Sequence, residues 1–422
     1  MPAAPSLLIV PYRSKTGKLY SQIPTSGAGD FTVTRNTAAT RFNSAGLIES
    51  VASGIPRLDY FASGGVVGCP ALLVEPSGTN LAFQSANFLT TWVLLNGTIS
   101  TGSTAAFTAP DGTTSADLFT ESTDVSATNH QISQSISTAV VSGTSYTLSC
   151  FFKATAANRS VVLSLSSARF SGSPQAFFDV TSGLVGTTTD CTARIENYGS
   201  GWYRCIMTAI CDVSGTTSVF MGSGSGNTRD YIGNGSASLY AWGAQLEVGS
   251  VPTSYIPTTT GTASRSADVI SVTGAVSGAI GQTEGTLYME VDIRNMAKET
   301  YLIRIDEGAA SNILSLRTLT SNVVRTAITA PTTSGTINIS SAAFTAGIVK
   351  IAFAYKSGEI ALSVNGATAL TANGTFAFGA SLNRITLGSN ASASSEFNDR
   401  IRAVALYTTR LTNAELALIT QP

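Results

Sequence analysis

Short runs of alternating apolar and polar residues fill the chain between residues 81 and 257. Examples are Tyr146–Lys153, Ser160–Leu165, Ala176–Val180 and Trp202–Ile210. Turn signals rich in glycine and serine separate these runs, and none of them keeps a helical period. Alternation with a period of two is typical of strands that bury one face. The pattern therefore predicts an antiparallel β-sandwich over residues 81–257.

A second β-pattern begins at Thr286 and continues through Tyr301–Asp306 and Ile348–Tyr355. The stretch 258–267 between the two patterns is rich in threonine, serine and alanine, which is typical of a linker. We therefore expect a second β-sandwich over residues 268–422. The two patterns do not repeat each other in any register, so they predict two different modules.

Residues 1–80 show neither pattern. Prolines interrupt the start, and only short extended pieces follow. The apolar side chains of Leu7–Val10, Phe31–Val33 and Ala71–Val74 need a partner surface to leave water. The sequence thus predicts an all-β protein of two antiparallel, jelly-roll-like sandwiches, preceded by an irregular extended segment, 1–80, that carries attachment or oligomer contacts.

Composition excludes several classes of protein. Charged residues are 12% of the 422 residues and hydrophobic residues 43%, a balance that favours folding over disorder. The formal net charge is −1 with no basic cluster, so nucleic acid is not an expected partner. No run approaches the roughly 20 apolar residues of a membrane span, and no signal peptide is recognisable. We therefore expect neither membrane insertion nor export.

The residues that carry enzyme, cofactor and metal chemistry are sparse. The five cysteines lack paired metal spacings and are expected to be buried reduced thiols. The one histidine, His130, lies in a polar run without a nucleophile motif, which indicates a solvated or locally hydrogen-bonded loop residue. Glycine clusters such as Gly222–Gly226 lack the lysine and the strand-to-helix setting of a phosphate loop. We expect no cofactor.

Acidic residues could support glycoside hydrolysis if two of them met in a cleft. The candidates are Glu290, Asp292, Asp306, Glu307 and Asp399. None forms a recognisable pair in sequence, and no aspartate-rich calcium loop accompanies them. The sequence therefore favours a protein that is not an enzyme and assigns no metal site.

Three pieces stand in order around the first β-pattern: Leu72–Leu81 (LLVEPSGTNL), Gly201–Arg204 (GWYR) and Tyr240–Pro257. Together they span about residues 30–265, and they resemble a pattern found in virion fibre proteins of tailed bacteriophages. The resemblance implies a structural protein, a head or tail fibre or spike, assembled in the host cytoplasm and displayed on the virion surface. It also implies other virion proteins as partners and a homo-oligomer, commonly a homotrimer.

The end of the second β-pattern carries another resemblance. Phe397–Ile419 is similar to the closing strand and short helix of laminin-G-like or concanavalin-A-like jelly rolls. Thr412 can cap that helix and Glu415 stands where a capping box requires it. The resemblance implies a glycan-binding architecture, so a host-surface glycan becomes the candidate ligand.

Sugar binding requires an exposed aromatic side chain with amides or carboxylates around it. The candidate glycan-binding residues are Trp92, Tyr231 and Asn234 in predicted loops of the first sandwich, and Asn390, Asn398 and Asp399 near a rim of the second. Trp202 and Trp242 lie in predicted strands and are assigned to packing. Two alternatives remain open: a capsid decoration protein without a host ligand, and a tailspike that degrades surface polysaccharide.

Overall fold

Strands account for almost all of the regular structure. The computed structural model describes residues 4–62, 67–333, 336–390 and 395–422. The N-terminal strands are β1 (Leu7–Ile9), β2 (Ser14–Lys15), β3 (Lys18–Leu19), β4 (Phe31–Thr34), β5 (Ala39–Phe42), β6 (Ile48–Val51), β7 (Leu58–Phe61), β8 (Val67–Val74) and β9 (Gly78–Asn80).

The middle of the chain contains thirteen strands and a short 3₁₀ helix at Ala105–Phe107. The strands are β10 (Val93–Leu95), β11 (Gly97–Ser100), β12 (Asp117–Glu121), β13 (Thr128–Val140), β14 (Ser145–Ala154), β15 (Ser160–Leu165), β16 (Gln175–Asp179), β17 (Leu184–Thr189), β18 (Thr192–Gly199), β19 (Trp202–Ile210), β20 (Gly215–Gly224), β21 (Asp230–Tyr231) and β22 (Ala237–Val248).

The last part of the chain adds a 3₁₀ helix at Ser277–Ala279 and the helix α1 (Asn413–Ile419). Its strands are β23 (Ala263–Arg265), β24 (Val269–Thr273), β25 (Glu284–Ile293), β26 (Thr300–Asp306), β27 (Ile313–Thr318), β28 (Val323–Thr329), β29 (Ser340–Ala343), β30 (Gly347–Lys356), β31 (Ile360–Val364), β32 (Leu370–Ala372), β33 (Arg384–Leu387) and β34 (Asp399–Tyr407).

The first sandwich consists of two antiparallel sheets. Sheet I has the order β10-β13-β20-β15-β16-β17, with β21 also paired to β13, and sheet II has the order β11-β12-β22-β14-β19-β18. Alternate residues of both sheets form one buried core between the sheets. Examples are Leu148, Phe152, Val161 and Phe178. The alternating runs that predicted strands in this region are confirmed, because they coincide with β14, β15, β16 and β19.

One glycine changes which face the side chains of β22 occupy. The sequence pattern places Ala244 on the face of Trp242, but the ladder between β14 and β22 contains a β-bulge next to Gly243. Gly243 has φ +69°, and a Cβ there would lie 2.9 Å from the Phe151 ring. Leu239, Ala241 and Ala244 therefore face the sandwich core, while Trp242 faces outwards. A glycine is needed here because other residues rarely adopt this conformation.

The second sandwich differs from the predicted segmentation, because residues of the N-terminal segment complete both of its sheets. Sheet III has the order β32-β31-β30-β25-β34-β8-β7, with β1 also paired to β34. Sheet IV has the order β2-β3-β4-β24-β33-β26-β27-β28-β29. Leu7 pairs with Leu406 in the first of these sheets, and Val33 pairs with Ile270 in the second. The fold is all-β with two antiparallel sandwiches, as the sequence predicts.

The apolar side chains of the N-terminal segment are buried within the chain itself. Leu7, Phe31, Leu72 and Val74 belong to the same core as the C-terminal strands. The sequence left three partner surfaces open for them: a neighbouring domain, a sister chain or the virion body. Their partner is the second sandwich, which lies some 200 to 400 residues further along the chain. An attachment role for this segment stays a prediction.

The chain leaves and re-enters the second sandwich at one place. β9 pairs with β23 so that Asn80 lies opposite Ala263. The first sandwich is thus an insertion between the N-terminal strands and the rest of the second sandwich. The stretch 258–267, predicted to be a linker, is fixed at both ends, since Thr258 and Arg265 are buried. Thr259, Thr260, Gly261 and Thr262 remain exposed.

A buried cluster of charged side chains holds together the segments that meet at this place. Arg57 donates to Glu75 at 2.6 Å and also to Asp268, and Arg265 donates to Glu75. Arg35 donates to Asp268 at 2.9 Å. Burial alone would raise the pKa of Glu75, but the guanidinium groups of Arg265 and Arg57 hold that pKa well below its usual range. Removing Glu75 or Asp268 would leave a buried arginine without its carboxylate, so the cluster fixes how these segments meet.

The C-terminal helix forms as the sequence predicts. Thr412 caps α1 by accepting a hydrogen bond from the Glu415 N–H, and the Glu415 side chain accepts one from the Thr412 N–H. This reciprocal capping box confirms the predicted helix start. The strand before it departs from simple alternation, since a bulge opposite Glu290 and Val291 brings Ile401, Val404 and Leu406 into the core.

Candidate functional site

An aromatic cluster joins the two sandwiches. Phe151, Trp202 and Trp242 project from the outer face of sheet II and meet Tyr255 of the exit segment. Phe42, Ile48 and Phe61 reach the cluster from the N-terminal segment. Trp202 and Trp242 are 2% and 3% exposed, which confirms that both tryptophans serve packing.

The three sequence pieces that resemble phage fibres converge beside this cluster. Glu75, of the first piece, accepts hydrogen bonds from Ser254 N–H and Ser254 Oγ, each at 2.7 Å. Arg204, of the second piece, donates from Nη1 to the Thr253 carbonyl at 2.8 Å. Ser254 and Thr253 belong to the third piece. Residues of all three pieces therefore form hydrogen bonds at the joint between the sandwiches.

A groove of about 420 Å³ opens where the sandwiches meet, and we call it the junction cleft. The first sandwich and the second sandwich, which includes Phe61 of β7, both contribute to its walls. The lining residues are Phe61, Ser182, Gly183, Arg194, Ile195, Glu196, Asn197, Tyr203, Asp292, Arg294, Ala346 and Gly347. Its volume lies within the usual range for small-ligand sites.

Two ion pairs, one from each sandwich, line the junction cleft. Arg194 Nη2 lies 3.1 Å from Glu196 Oε1, and Arg294 Nη2 lies 2.9 Å from Asp292 Oδ2. Arg194 Nη1 also donates to the Arg294 carbonyl at 3.0 Å, which ties one sandwich to the other. The Arg294 guanidinium covers the Phe61 ring at 4.5 Å. The cleft thus presents two guanidinium groups as hydrogen-bond donors and two carboxylates as acceptors, and the charges of the two ion pairs cancel.

Some hydrogen-bonding capacity in the cleft is unused. The Nε of Arg194 is buried and has no hydrogen-bond partner among the described residues. Burial would raise the pKa of Glu196, but the Arg194, Arg204 and Arg294 guanidinium groups lower it, so its carboxylate stays ionised. Groups of this kind can accept and donate to a polar ligand without a change of protonation.

A narrow inner cavity of about 50 Å³ shares Phe61, Arg194, Glu196 and Arg294 with the cleft. Asn398 and Asp399, two of the sequence candidates, line this cavity. Asn398 donates to the Pro252 carbonyl at 3.2 Å and is 4% exposed. Asp399 Oδ2 accepts the N–H groups of Arg294 and Asn295 at 2.9 and 2.8 Å. Both residues therefore belong to the wall of the junction rather than to an open rim.

Asp399 predicts a pH dependence of stability. Burial raises its pKa to about 7, against roughly 3.9 in an unfolded chain. Between those values the folded state holds the proton more tightly, so this residue's contribution to stability falls as the pH rises. Asp399→Asn should flatten the decline between about pH 4 and 7 by up to about 1.4 kcal/mol per pH unit. Urea unfolding of both proteins across this range checks it, and parallel curves would contradict it.

The candidates on the first sandwich lie away from the junction cleft. Trp92 is 5% exposed, and its Nε1 donates to the Phe83 and Gln84 carbonyls at 3.1 and 3.3 Å. Tyr231 is 7% exposed, and its hydroxyl donates to Glu121 at 2.6 Å. Neither ring offers the exposed face on which a sugar could stack, because each is used to pack and satisfy the core.

Two further candidates are accessible but stand apart from each other. Asn234 is exposed, and its Oδ1 accepts the Ser236 N–H at 3.0 Å in a local turn. Asn390 is half-buried beyond the end of β33. Neither is among the described residues that line the junction cleft or the inner cavity. Of the six candidates, Asn398 and Asp399 meet at the inner cavity, and Tyr231 and Asn234 meet at Glu121, to which the Tyr231 hydroxyl and the Asn234 N–H both donate.

The histidine and the cysteines are not among the described residues that line the junction cleft. His130 lies in β13 rather than in a loop; it is 1% exposed, and its Nε2 lies 2.6 Å from Asp124 Oδ2. Cys150, Cys205 and Cys211 are buried, Cys191 is half-buried and Cys69 is exposed. Among the described residues, no group of three or more histidine, cysteine, aspartate or glutamate side chains could hold a metal ion. No helix in the same part of the chain is long and apolar enough to span a membrane.

Sequence reasoning missed Arg194, Glu196, Tyr203 and Arg294. The available signal was the alternation along β18, where Arg194 and Glu196 are separated by Ile195. Such alternation is typical of a strand whose polar face meets water. Here a second module lies over that face, and no local pattern reveals this.

Comparisons with known proteins give partial likenesses only. No protein-family model matches the chain. No curated protein sequence matches it. The CBM40 of the Ruminococcus gnavus IT-sialidase is 15% identical, with a TM-score of 0.30, over 35% of this chain and 87% of that chain.

Two other solved structures are similarly distant. A SAP-like pentraxin from Limulus polyphemus is 12% identical, with a TM-score of 0.27, over 33% of this chain and 70% of that chain. The binding domain of botulinum neurotoxin DC is 11% identical, with a TM-score of 0.29, over 36% and 40% of the two chains. Likenesses at this level indicate no function for this chain.

Proposed function

We propose that this chain is a structural protein of a tailed-bacteriophage virion, a head or tail fibre or spike, whose junction cleft binds a host-surface glycan. The observation that carries the glycan proposal is the cleft itself, a 420 Å³ groove lined by one ion pair from each of the two sandwiches that meet there. The virion assignment rests on the three fibre-like sequence pieces, which meet at the same joint.

The cleft suits a polyhydroxylated ligand for a physical reason. Vicinal hydroxyls can each donate to a carboxylate and accept from a guanidinium, and each pair in the cleft supplies both groups. Tyr203, half-buried at the edge of the cleft, adds an aromatic surface against which sugar C–H groups can pack. The inner cavity is too small for a sugar ring, so the ligand would lie in the groove.

A blocking variant tests the glycan proposal. Ala346 is exposed and lines the cleft, so Ala346→Trp should fill the groove without disturbing a buried contact. On a microbial glycan array, we expect this variant to lose at least about 90% of the binding of the wild type, a loss of about 1.4 kcal/mol or more. Ala310→Trp, at an exposed position of another loop, is the matched control and should bind normally.

The same experiment separates the alternatives. A wild-type protein that binds no glycan would favour a decoration protein without a host ligand. Release of shortened oligosaccharides from a bound polysaccharide would favour a degrading tailspike, with Asp292 and Glu196, two carboxylates that line the cleft, as the first residues to replace. Immunogold labelling of particles tests the virion assignment, and absence of label from the particle surface would overturn it.

A further inference from the structure

A second groove lies on the outer face of sheet I, separated from the junction cleft by the turn at Ser182 and Gly183. It has a volume of about 440 Å³ and is formed by β15, β16, β17 and the turn after β20. Phe178 points into the sandwich core, whereas its neighbour Phe177 lies outside that core and lines the groove. Leu184, 63% exposed, and Val185, 38% exposed, extend the apolar floor towards solvent.

Two asparagine amides stand at the ends of this groove. Asn158 Oδ1 accepts the Thr181 hydroxyl at 2.5 Å, and Asn227 Oδ1 accepts the Thr187 N–H at 2.8 Å. These bonds fix both side chains through their oxygens. Neither Nδ2 has a hydrogen-bond partner among the described residues, so each amide retains its two donors for a ligand.

A buried hydroxyl in the lining is left unsatisfied. Ser160 is 9% exposed, and its Oγ has no hydrogen-bond partner in the described part of the chain. A buried polar atom without a partner destabilises the folded protein, so most such atoms in proteins are paired. Ser160 lines the groove, where a ligand hydroxyl could supply the missing partner.

The charge of the groove selects against anions. No lysine or arginine is among its described lining residues, and Asp179 is the one charged residue there. Asp179 already accepts hydrogen bonds from Thr181 N–H at 2.8 Å and from Ser182 Oγ at 2.6 Å. Uncharged donors above an apolar floor, with a carboxylate nearby, fit a neutral ligand that has both hydroxyls and C–H faces.

We propose that this groove is a second glycan site, which takes a neutral hexopyranose unit. The amides of Asn158 and Asn227 donate to ring hydroxyls, Ser160 Oγ exchanges a hydrogen bond with a third, and the exposed side chains of Leu184 and Val185 pack against the sugar's apolar face. The site shares no lining residue with the junction cleft, so the proposal for this groove does not depend on the proposal for the cleft.

Two variants test the groove with methyl hexopyranosides as probes, followed by saturation-transfer NMR and calorimetry. Asn227→Asp keeps the oxygen that accepts the Thr187 N–H but replaces the donor, and it should weaken binding at least about tenfold. Ser160→Ala should also weaken binding, yet leave the free protein as stable as the wild type or more stable, since it removes an unsatisfied group. If Ser160 had only a structural role, Ser160→Ala would not weaken hexoside binding while leaving the stability of the free protein unchanged or higher.

The controls distinguish this site from the cleft. Asn234→Asp makes the same change at an exposed amide outside the groove and should bind hexosides normally, as should the cleft variant Ala346→Trp. The proposal is overturned if no methyl hexopyranoside gives a saturable signal, if Asn227→Asp and Ser160→Ala bind as well as the wild type, or if methyl N-acetylneuraminic acid competes better than the neutral probes.

Discussion

Residues 268–422 produced without the rest of the chain are expected to remain unfolded. The core of the second sandwich includes eight side chains from the N-terminal segment: Leu7, Ile9, Leu19, Phe31, Val33, Leu58, Leu72 and Val74. Each is worth about 1.5–3 kcal/mol when buried. Together they match or exceed the roughly 5–15 kcal/mol by which a typical domain is stable. The fragment would also leave one edge of β34 and one edge of β24 without partners.

Circular dichroism and thermal unfolding of the fragment check this expectation. The matched control is a chain in which a short glycine-serine turn replaces residues 81–262 and joins Asn80 to Ala263, which already lie opposite each other. That chain retains every strand of the second sandwich and should unfold cooperatively. A cooperative transition in the 268–422 fragment would show instead that the N-terminal strands are dispensable.

Local pattern was enough to predict the first sandwich. Strands such as Tyr146–Lys153 show their alternation over eight residues, and their partners β19 and β22 belong to the same continuous run of strands. The N-terminal strands β1 and β4 have three and four residues, too few for a periodic signal. Their partners lie far along the chain, as when Ser6 bonds the Leu406 carbonyl 400 residues away. A sequence pattern does not encode such pairings, so the segment was predicted to be irregular.

The candidate site was predicted in part for a related reason. Asn398 and Asp399 were expected near a rim of the second sandwich, and the structure places them in the wall of the junction. Arg194 and Glu196 were not recognised, because a polar strand face has the same pattern whether water or another domain covers it. Trp92 was a candidate because it lies in a predicted loop, with packing as the alternative, and its indole N–H donates to two loop carbonyls from within the core.

Trp242→Ala is expected to destabilise the protein by about 3–5 kcal/mol, the usual cost of truncating a buried large aromatic side chain. The Trp242 ring lies 4.6 Å from the Tyr255 ring and 5.5 Å from the Phe151 ring, and its Nε1 donates to Ser115 Oγ at 3.0 Å. These contacts belong to the aromatic cluster at the junction rather than to the core of either sandwich. The loss should therefore loosen the joint before it unfolds either sandwich.

Two observations separate that outcome from a general loss of stability. Trp242→Phe keeps a ring in the cluster and loses mainly the hydrogen bond to Ser115, so it should cost only about 1 kcal/mol beyond the loss of volume. Proteolysis of Trp242→Ala under native conditions should cut first at residues 259–262, which are exposed beside the weakened joint. The two pieces should separate on a denaturing gel but stay associated in solution, because strands of the N-terminal segment complete both sheets of the second sandwich. Unchanged unfolding of Trp242→Ala would mean that the joint is held by the buried ions around Glu75 alone, because the aromatic cluster would then contribute nothing that the charges do not already supply.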